Sequence, residues 1–406
     1  MLPCQIVLDF EGRRLQGARP FAVFEAKDGA WQWQVEQEAL PFRSGTGDAL
    51  AEIQHALRWC RANVGVAGAS IGFISYDFAR QLEPRAFGSN SPSDDLGVPD
   101  IRLVFYEALE ESHHLPASPL PAVDEDKQRK AINALPVAQP DYLQAVTKIQ
   151  EYIAAGDIYQ ANFTQRFQSP LPCPPQELYE HLRHAHPMPF SALLEWDDLA
   201  IVSNSPERFL KLENQQLTAQ PIKGTIRRGY NTEEDGQLKE VLQYSLKDRA
   251  ENVMIVDLLR NDLGRVCDWG TVAVPHLFEV ETFPTLHHLV STVTGTLRDD
   301  LDGVDAIRAA FPCGSITGAP KIRAMQIIDE LEPVRRSVAM GAIGYFGFNG
   351  DMEWNVAIRT ITCIRDKAYF HVGGGIVADS RPDSEYAEML LKAQGLKRAL
   401  GAGYKR

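Results

Sequence analysis

Strand-like segments follow one another in runs along this chain, and only a few long helical segments separate them. The alternating residues Trp31–Val35 are typical of a half-buried strand, and the apolar run Ile71–Tyr76 of a buried one. Further strands are predicted at 157–167, 200–202, 209–212 and 271–274, and later ones, expected to pair with each other, at 340–348 and 368–372. Strands in runs favour an α+β fold over a repeated βαβ array.

Helical spacing of apolar residues predicts the long segments between these runs. The predicted helices are 48–61, 141–155, 237–260, 304–310, 320–330 and 384–400. Two polar, proline-bearing segments, 82–99 and 113–140, are predicted to be loops or linkers. The chain therefore divides into an N-terminal region with polar linkers, residues 1–140, and a denser region, residues 141–406.

Charge and cysteine usage exclude several function classes. The 406 residues carry a net charge of −13, which argues against nucleic-acid binding because phosphate backbones need a basic surface. The six cysteines have no CxxC spacing, which favours reduced thiols and a cytoplasmic location. We find no signal peptide, and no run approaches the ~20 apolar residues of a membrane span.

One lysine has an unusual setting. Lys223 lies in Pro221-Ile-Lys-Gly-Thr225, between a proline and a glycine and in a strand-like context. Such a position suits an amine that reaches a reacting carbon, while a turn lysine beside a strand is the more common alternative. The segment alone leaves both interpretations open.

Two predicted helices each carry a pair of acids three residues apart. Asp248 and Glu251 continue the apolar row of one helix, and Glu385 and Glu388 lie in the first turns of another. Acids near a helix N-terminus are also favoured electrostatically, without any ligand. The two pairs together favour a hard divalent cation such as Mg²⁺, which prefers oxygen ligands.

Several other residues are candidates for anion binding or acid–base chemistry. The segment from Gly314 to Lys321 precedes a predicted helix, with Pro320 in the first turn of that helix, and Gly373–Gly375 follow a predicted strand. Both segments can present backbone N–H groups to an anion. Glycines in tight turns without any ligand are the more common alternative. Arg359 interrupts an apolar strand and needs an anion if it is buried. Glu207 lies between two strands, where an ion pair with Arg208 or Arg227 is the simple alternative.

These segments, in this order, resemble the chorismate-using enzymes, a family that contains anthranilate, aminodeoxychorismate, isochorismate and salicylate synthases. The resemblance covers residues 141–399 and implies a two-layered α/β fold with large antiparallel sheets around a central active site. Residues 141–406 would then be the chorismate-binding catalytic domain. It rests on GDIYQANFTQRF, SPERF, PIKGT, ENVMIVDLLRNDLGRV, HHLVSTVTGTL, GSITGAPKIRAMQIIDELEP, GAIGYFG, IRT and GGGIVADSRPDSEYAE.

Three positions distinguish branches of that family. The chain is most similar to the aminodeoxychorismate synthases, which carry lysine in PIKGT where anthranilate synthases have alanine. Isochorismate and salicylate synthases carry a lysine where this chain has Gln160, and anthranilate synthases a tyrosine where it has Met340. Anthranilate synthase remains the alternative within the family, and a catalytically silent ligand-binding subunit is the alternative outside it.

The resemblance implies a role for each candidate. Lys223 would add to ring C2 of chorismate with Glu207 as general acid, His288 would face the ring, and ammonia would then replace the lysine to give 4-amino-4-deoxychorismate, a precursor of 4-aminobenzoate and folate. Mg²⁺ would be held by Glu251 and Glu388, with Asp248 and Glu385 behind them. The substrate would be bound by Ser315, Arg359, Gly373, Gly375 and Thr225. Ammonia would come from a glutamine amidotransferase subunit in trans.

Overall fold

The computed structural model describes residues 5–36, 40–88, 91–113, 139–185, 187–284 and 286–401. Most of the predicted linker 113–140 lies outside these residues. The predicted loop 82–99 begins at the last residue of a short helix, Ala79–Leu82, and contains one short helical turn, Pro84–Ala86, within its described part.

Nineteen strands in the described part of the chain form one network of antiparallel pairs. In chain order they are β1 Gln5–Phe10, β2 Arg13–Lys27, β3 Ala30–Val35, β4 Gly45–Thr46, β5 Ala69–Ile74, β6 Ile101–His113, β7 Gln160–Pro170, β8 Phe190–Glu195, β9 Ala200–Ser205, β10 Arg208–Glu213, β11 Gln216–Gln220, β12 Ile222–Arg227, β13 Ala273–Thr282, β14 Leu286–Thr296, β15 Gly318–Ala319, β16 Ala342–Gly347, β17 Met352–Val356, β18 Thr360–Ile364 and β19 Lys367–Ile376.

The pairs follow one continuous path. It runs β15–β7–β19–β18–β9–β8–β1–β2–β6–β5–β16–β17–β10–β11–β14, with β3 paired to β2 and β4 paired to β3. Strands β11 and β12 follow each other along one edge of β14, and β13 pairs with its other edge. Strands from before and after residue 140 join the same network, and the division of the chain at that residue stays a prediction.

Nine helices in the described ranges lie on these sheets. They are α1 Ala49–Asn63, α2 Ala79–Leu82, α3 Gln139–Ala154, α4 Pro175–Ala185, α5 Thr232–Gln243, α6 Leu246–Gly264, α7 Gly303–Ala310, α8 Lys321–Leu331 and α9 Pro382–Gly401. Capping side chains fix where several of them begin: Asp48 accepts from two backbone N–H groups at the start of α1, and Asp302 and Asp305 form a capping box at α7. None of the described helices is long and apolar enough to cross a membrane.

The predicted helix 237–260 is wrong as one element. It is two helices, α5 and α6, because Ser245 accepts a hydrogen bond from the backbone N–H of Asp248 and starts a new helix. Its N-cap signal, Ser-x-x-Asp, lies inside a segment whose spacing otherwise favours one continuous helix. Pro320 is the N-cap of α8 and not a residue of its first turn.

The strand predictions were right in kind and wrong in some bounds and pairings. Segments 340–348 and 368–372 do not pair: β16 lies between β5 and β17, and β19 lies between β18 and β7. The strand predicted from residue 157 begins at Gln160, and the one predicted at 271–274 extends from Ala273 to Thr282. Pairing partners in an antiparallel network this long depend on distant contacts that local periodicity does not contain.

Candidate functional site

Lys223 is the second residue of β12. Pro221 separates this strand from β11, and both strands pair with β14. The Nζ of Lys223 donates to the carbonyl oxygen of Ser315 at 3.2 Å. Burial lowers the pKa of the Lys223 amine, against the opposing influence of Glu251 and Glu207. A partly buried amine with a lowered pKa is closer to its neutral, nucleophilic form than a surface lysine is.

The neighbouring Gly224 allows a helix to approach this lysine. Its φ is +82°, a left-handed conformation that favours glycine. A Cβ built there would lie 2.9 Å from the side-chain carbon of Asp248 and 2.8 Å from Leu242. Glycine therefore brings the first turn of α6, with its acids, against the strand that carries Lys223.

Glu207, in the connection between β9 and β10, is only 3% exposed. Burial raises the pKa of its carboxyl to about 7, although a hydrogen bond from Ser315 and the charge of Lys223 oppose the shift. The Oε1 atom has no hydrogen-bond partner among the described residues. The simple ion-pair interpretation is wrong, because Arg208 binds Glu353 and Arg227 binds Glu234. Glu207 is thus a buried carboxyl able to carry a proton at neutral pH.

His288 and Thr225 face each other across β12 and β14. The Nδ1 of His288 lies 2.8 Å from the Thr225 hydroxyl, and Nε2 is buried without a partner in the described part of the chain. Burial, followed by the charge of Arg359, lowers the pKa of His288 to about 3. The imidazole is therefore neutral at physiological pH, with one ring nitrogen available to a ligand.

The sequence predicted Arg359 in a strand. It lies instead in the connection between β17 and β18, with φ +51°. Burial lowers the pKa of its guanidinium. No acid in the described ranges lies within 4.0 Å of it, and the contact it makes is with the sulfur of Met188 at 3.4 Å. A partly buried arginine without a carboxylate partner among the described residues is suited to an anionic ligand.

The sequence predicted that the three consecutive glycines follow a strand. They lie inside β19 instead. A Cβ at Gly373 would lie 1.8 Å from the carbonyl oxygen of Phe163, and one at Gly375 2.1 Å from the amide nitrogen of Gln160. Gly374 faces the opposite way, toward Lys392 and Glu385. The missing side chains at Gly373 and Gly375 thus permit close contact with β7, while Gly374 opens space beside the acids of α9.

The two acidic pairs, one on α6 and one on α9, both lie near enough to Lys223 to interact with it electrostatically. Burial raises the pKa of Glu251. The charge of Lys223 opposes this shift, and the charge of Glu385 on the other helix adds to it. Burial alone would raise the pKa of Glu388, but Lys392 and more distant lysines outweigh it and lower the pKa. Glu385 accepts a hydrogen bond from Ser380 at 2.7 Å. The fold therefore brings together two carboxylate pairs that sequence spacing alone does not place.

The four carboxylates suit a divalent cation by their chemistry. They offer only oxygen, which magnesium prefers. Two ammonium groups lie against them: Lys392 is 2.8 Å from Glu388, and Lys247 is 4.0 Å from Glu251. Lys392 and Lys247 were missed by sequence reasoning, although their i, i+4 spacing to the acids was visible.

Ser315 lies in a short helical turn, Gly314–Ile316, which Arg336 stabilises by hydrogen bonding. Arg336 donates to the carbonyl oxygens of Ile316 and Asn162 at 2.9 and 2.6 Å, and to both oxygens of Glu332. This buried ion pair links the Ser315 turn to β7. Arg336 is a second residue that sequence reasoning missed.

Lys223, Glu207 and Ser315 thus form one cluster, with the acids of α6 and α9 on one side and His288, Thr225 and Arg359 on another. A partly buried amine next to a protonatable carboxyl can add to a carbon while an oxygen leaves. Carboxylates on α6 and α9, together with an arginine that has no acidic partner among the described residues, suit a ligand that binds through anionic groups and a cation. This combination of groups suits a small acidic molecule.

Comparison with known proteins gives consistent results. Residues 8–398 match the family described as chorismate binding enzyme. The chain is 42% identical to aminodeoxychorismate synthase component 1 of Salmonella typhimurium over 373 residues, covering 87% of this chain and 78% of that protein. It is 40% identical to anthranilate synthase component 1 of Geobacillus stearothermophilus, covering 81% and 73%. The crystal structure of anthranilate synthase component I from Streptococcus pneumoniae superimposes with a TM-score of 0.78 at 28% identity, covering 98% of this chain and 93% of that one.

Proposed function

The chain belongs to the chorismate binding enzyme family, and within it we propose that the protein is the chorismate-aminating component of an aminodeoxychorismate synthase. The 42% identity to the Salmonella typhimurium enzyme supports this assignment. The fold is the two-layered, largely antiparallel α+β fold of anthranilate synthase component I, as the sequence predicted. The substrate would be chorismate, and the product 4-amino-4-deoxychorismate, a precursor of 4-aminobenzoate and folate.

The observation that carries the proposal is the position of Lys223 beside Glu207. The lysine is partly buried, its pKa is lowered, and its Nζ lies 3.2 Å from the carbonyl oxygen of Ser315, whose side chain also hydrogen-bonds Glu207. A nucleophile and a proton donor thus share one neighbour. Anthranilate synthases carry alanine at the position of Lys223, so they lack this amine.

In the first step, the neutral Lys223 amine would form a bond to ring C2 of chorismate. The two conjugated ring double bonds shift toward C4, the bond from C4 to its hydroxyl breaks, and Glu207 supplies the proton that lets the oxygen leave as water. A carboxyl with a pKa of about 7 retains enough proton for this task at neutral pH. Covalent attachment divides one difficult displacement into two easier ones.

In the second step, ammonia would add at C4 while the bond between Lys223 and C2 breaks. The two double bonds shift back, the lysine leaves as the amine, and the ammonium group formed at C4 returns one proton to Glu207. The net reaction exchanges the C4 hydroxyl for an amino group and releases one water. Gln160 occupies the position where isochorismate and salicylate synthases carry a lysine that activates water, which supports ammonia as the attacking group.

Arg359, with Gly373 and Gly375, would hold the enolpyruvyl carboxylate, and Ser315 and Thr225 would complete the polar contacts. His288, neutral because its pKa is about 3, would face the ring without repelling Arg359. These roles agree with the partial burial of Arg359 and with its lack of an acidic partner among the described residues.

Mg²⁺ would be bound by Glu251 and Glu388, with Asp248 and Glu385 orienting its waters. When bound, it supplies positive charge to the ring carboxylate of the substrate. For the carboxylates to bind it, Lys247 and Lys392 would have to turn away from Glu251 and Glu388. The ammonia would come from a separate glutamine amidotransferase subunit, since the name component 1 of the relatives implies a second component.

Anthranilate synthase is the second candidate, supported by the 40% identity to the Geobacillus stearothermophilus enzyme. It would release pyruvate and form an aromatic product. Lys223 favours the first candidate, because a reaction that ends with anthranilate does not need an amine that adds at C2.

Product analysis tests the proposal. Purified protein is incubated with chorismate, Mg²⁺ and ammonium at mildly alkaline pH, and the products are identified by mass spectrometry beside Lys223→Ala and a matched control, Lys211→Ala on β10. We expect aminodeoxychorismate from the wild type and the control, and a severe loss or a change toward anthranilate in Lys223→Ala. Anthranilate and pyruvate from the wild type would contradict the proposal. An added chelator is expected to abolish activity.

A further inference from the structure

A second group of metal-ligand side chains lies away from the chorismate site, where α4 begins. Cys173, Glu177 and His181 are spaced four residues apart, so they fall on one face of the helix and of the segment that leads into it. One ligand atom from each residue lies within 4.8 Å of the other two. Within the described ranges this is the one such group of three or more histidine, cysteine, aspartate or glutamate residues.

The His181 side chain has an unmet hydrogen-bonding group, and the Cys173 thiol lies near it in a partly buried position. The Nε2 of His181 is 3.8 Å from the Glu177 carboxylate, beyond hydrogen-bond distance, and its Nδ1 is buried with no partner among the described residues. The Cys173 thiol is partly buried against the core cluster that contains Cys363. Burial and the neighbouring Glu177 raise the pKa of Cys173 to about 11. A thiol, an imidazole and a carboxylate thus converge without satisfying one another.

We propose that Cys173, Glu177 and His181 bind a divalent transition-metal ion of the Zn²⁺ type. Sulfur, imidazole nitrogen and carboxylate oxygen are the ligands that Zn²⁺ uses, at about 2.3, 2.0 and 2.0–2.2 Å. Ligand atoms around a tetrahedral ion at those lengths are roughly 3.5 Å apart, so the three atoms need to move by about 1 Å or less. Magnesium is excluded because it prefers oxygen.

The site would have three protein ligands and be open on one side. Three protein ligands leave a fourth position for water, and the Glu177 side chain is 54% exposed, which gives an ion access from solvent. Cys173 lies in the connection from β7 to α4, which Leu171 anchors through a backbone hydrogen bond to Asp366. A bound ion would join that connection to the helix. None of the three residues is among those proposed to act on chorismate.

Co²⁺ reports on this geometry directly, because a cobalt–thiolate bond gives an intense near-ultraviolet charge-transfer band that oxygen ligands do not. Metal-free protein is titrated with Co²⁺ and then Zn²⁺ in excess Mg²⁺, which occupies carboxylate sites. We expect the thiolate band to saturate at one equivalent, to disappear when Zn²⁺ is added, and to be absent in Cys173→Ser. His181→Gln is expected to bind Zn²⁺ at least about tenfold more weakly.

A second thiol serves as the matched control. Cys313 is buried beside Ser315 in the catalytic cluster, and Cys313→Ala should keep the band. The proposal fails if wild-type protein shows no thiolate band, or if the band survives Cys173→Ser and is lost in Cys313→Ala. Circular dichroism of each metal-free variant verifies folding. If Cys173→Ser does not fold, loss of tight Zn²⁺ binding in His181→Gln decides the question, and unchanged binding there overturns the proposal.

Discussion

The raised pKa of Glu207 predicts that this residue destabilises the protein above neutral pH. Its carboxyl has a pKa of about 7 in the folded protein, against an ordinary value of 4.5. The folded state therefore holds the proton over a range in which the unfolded chain has already lost it. Stability is full below about pH 4.5 and falls as the pH rises toward 7.

The size of the effect follows from the shift. A difference of about 2.5 pKa units corresponds to about 3 kcal/mol of lost folding free energy once the pH exceeds both values. The entropy of unfolding is about 2.1 cal/mol/K per residue, so 406 residues give about 0.85 kcal/mol/K. The loss then corresponds to a melting temperature lower by about 3–4 °C.

Glu207→Gln removes the titration and keeps the shape. We expect the melting temperature of Glu207→Gln minus that of the wild type to increase by roughly 3 °C between about pH 5 and pH 9. Any constant cost of the amide cancels in this comparison. Glu110→Gln, at an exposed site on β6, is the control and should show a pH-independent difference. A difference for Glu207→Gln that does not change with pH would refute the reasoning.

Three further predictions concern the surroundings of the site. Gly373→Ala should lower both the melting temperature and activity, because its Cβ would lie 1.8 Å from a carbonyl oxygen of β7, whereas Gly374→Ala, with its nearest atom at 3.4 Å, should melt as the wild type does. Arg359→Gln should raise the KM for chorismate by about 30-fold or more without lowering the melting temperature, since no described acid depends on this arginine. Arg336→Met should cost about 3–5 kcal/mol in urea unfolding because it leaves Glu332 buried and unpaired, and the double variant Glu332→Gln, Arg336→Met should cost clearly less; equal losses would contradict this.

Much of the fold was predictable because strand and helix periodicities are local. The α+β class, the helix that starts after Asp48 and most strand positions depend on residues close together in the sequence. The pairing of β16 with β5 depends on segments about 270 residues apart, and no local pattern specifies it. The break at Ser245 was predictable in principle from its capping signal and was overlooked.

The candidate site was predictable only in part for a related reason. The identities of Lys223, Glu207 and the acids were available from the resemblance to a family, but their mutual approach depends on how α6 and α9 pack. Arg359 was expected in a strand and lies in a connection with a positive φ. Arg336 gives no sequence signal, because its role as a support for the Ser315 turn exists only in three dimensions.

The measurement that tests the central claim most directly is peptide mass spectrometry of the protein quenched after mixing with chorismate. Wild-type protein is mixed with chorismate and Mg²⁺ in the absence of ammonia, quenched and digested. A covalent amine predicts a gain of one chorismate less one water, located on the peptide that carries Lys223, removed by later addition of ammonium and absent in Lys223→Ala. No adduct, together with wild-type rates of aminodeoxychorismate formation by Lys223→Ala, would contradict the role proposed for this lysine.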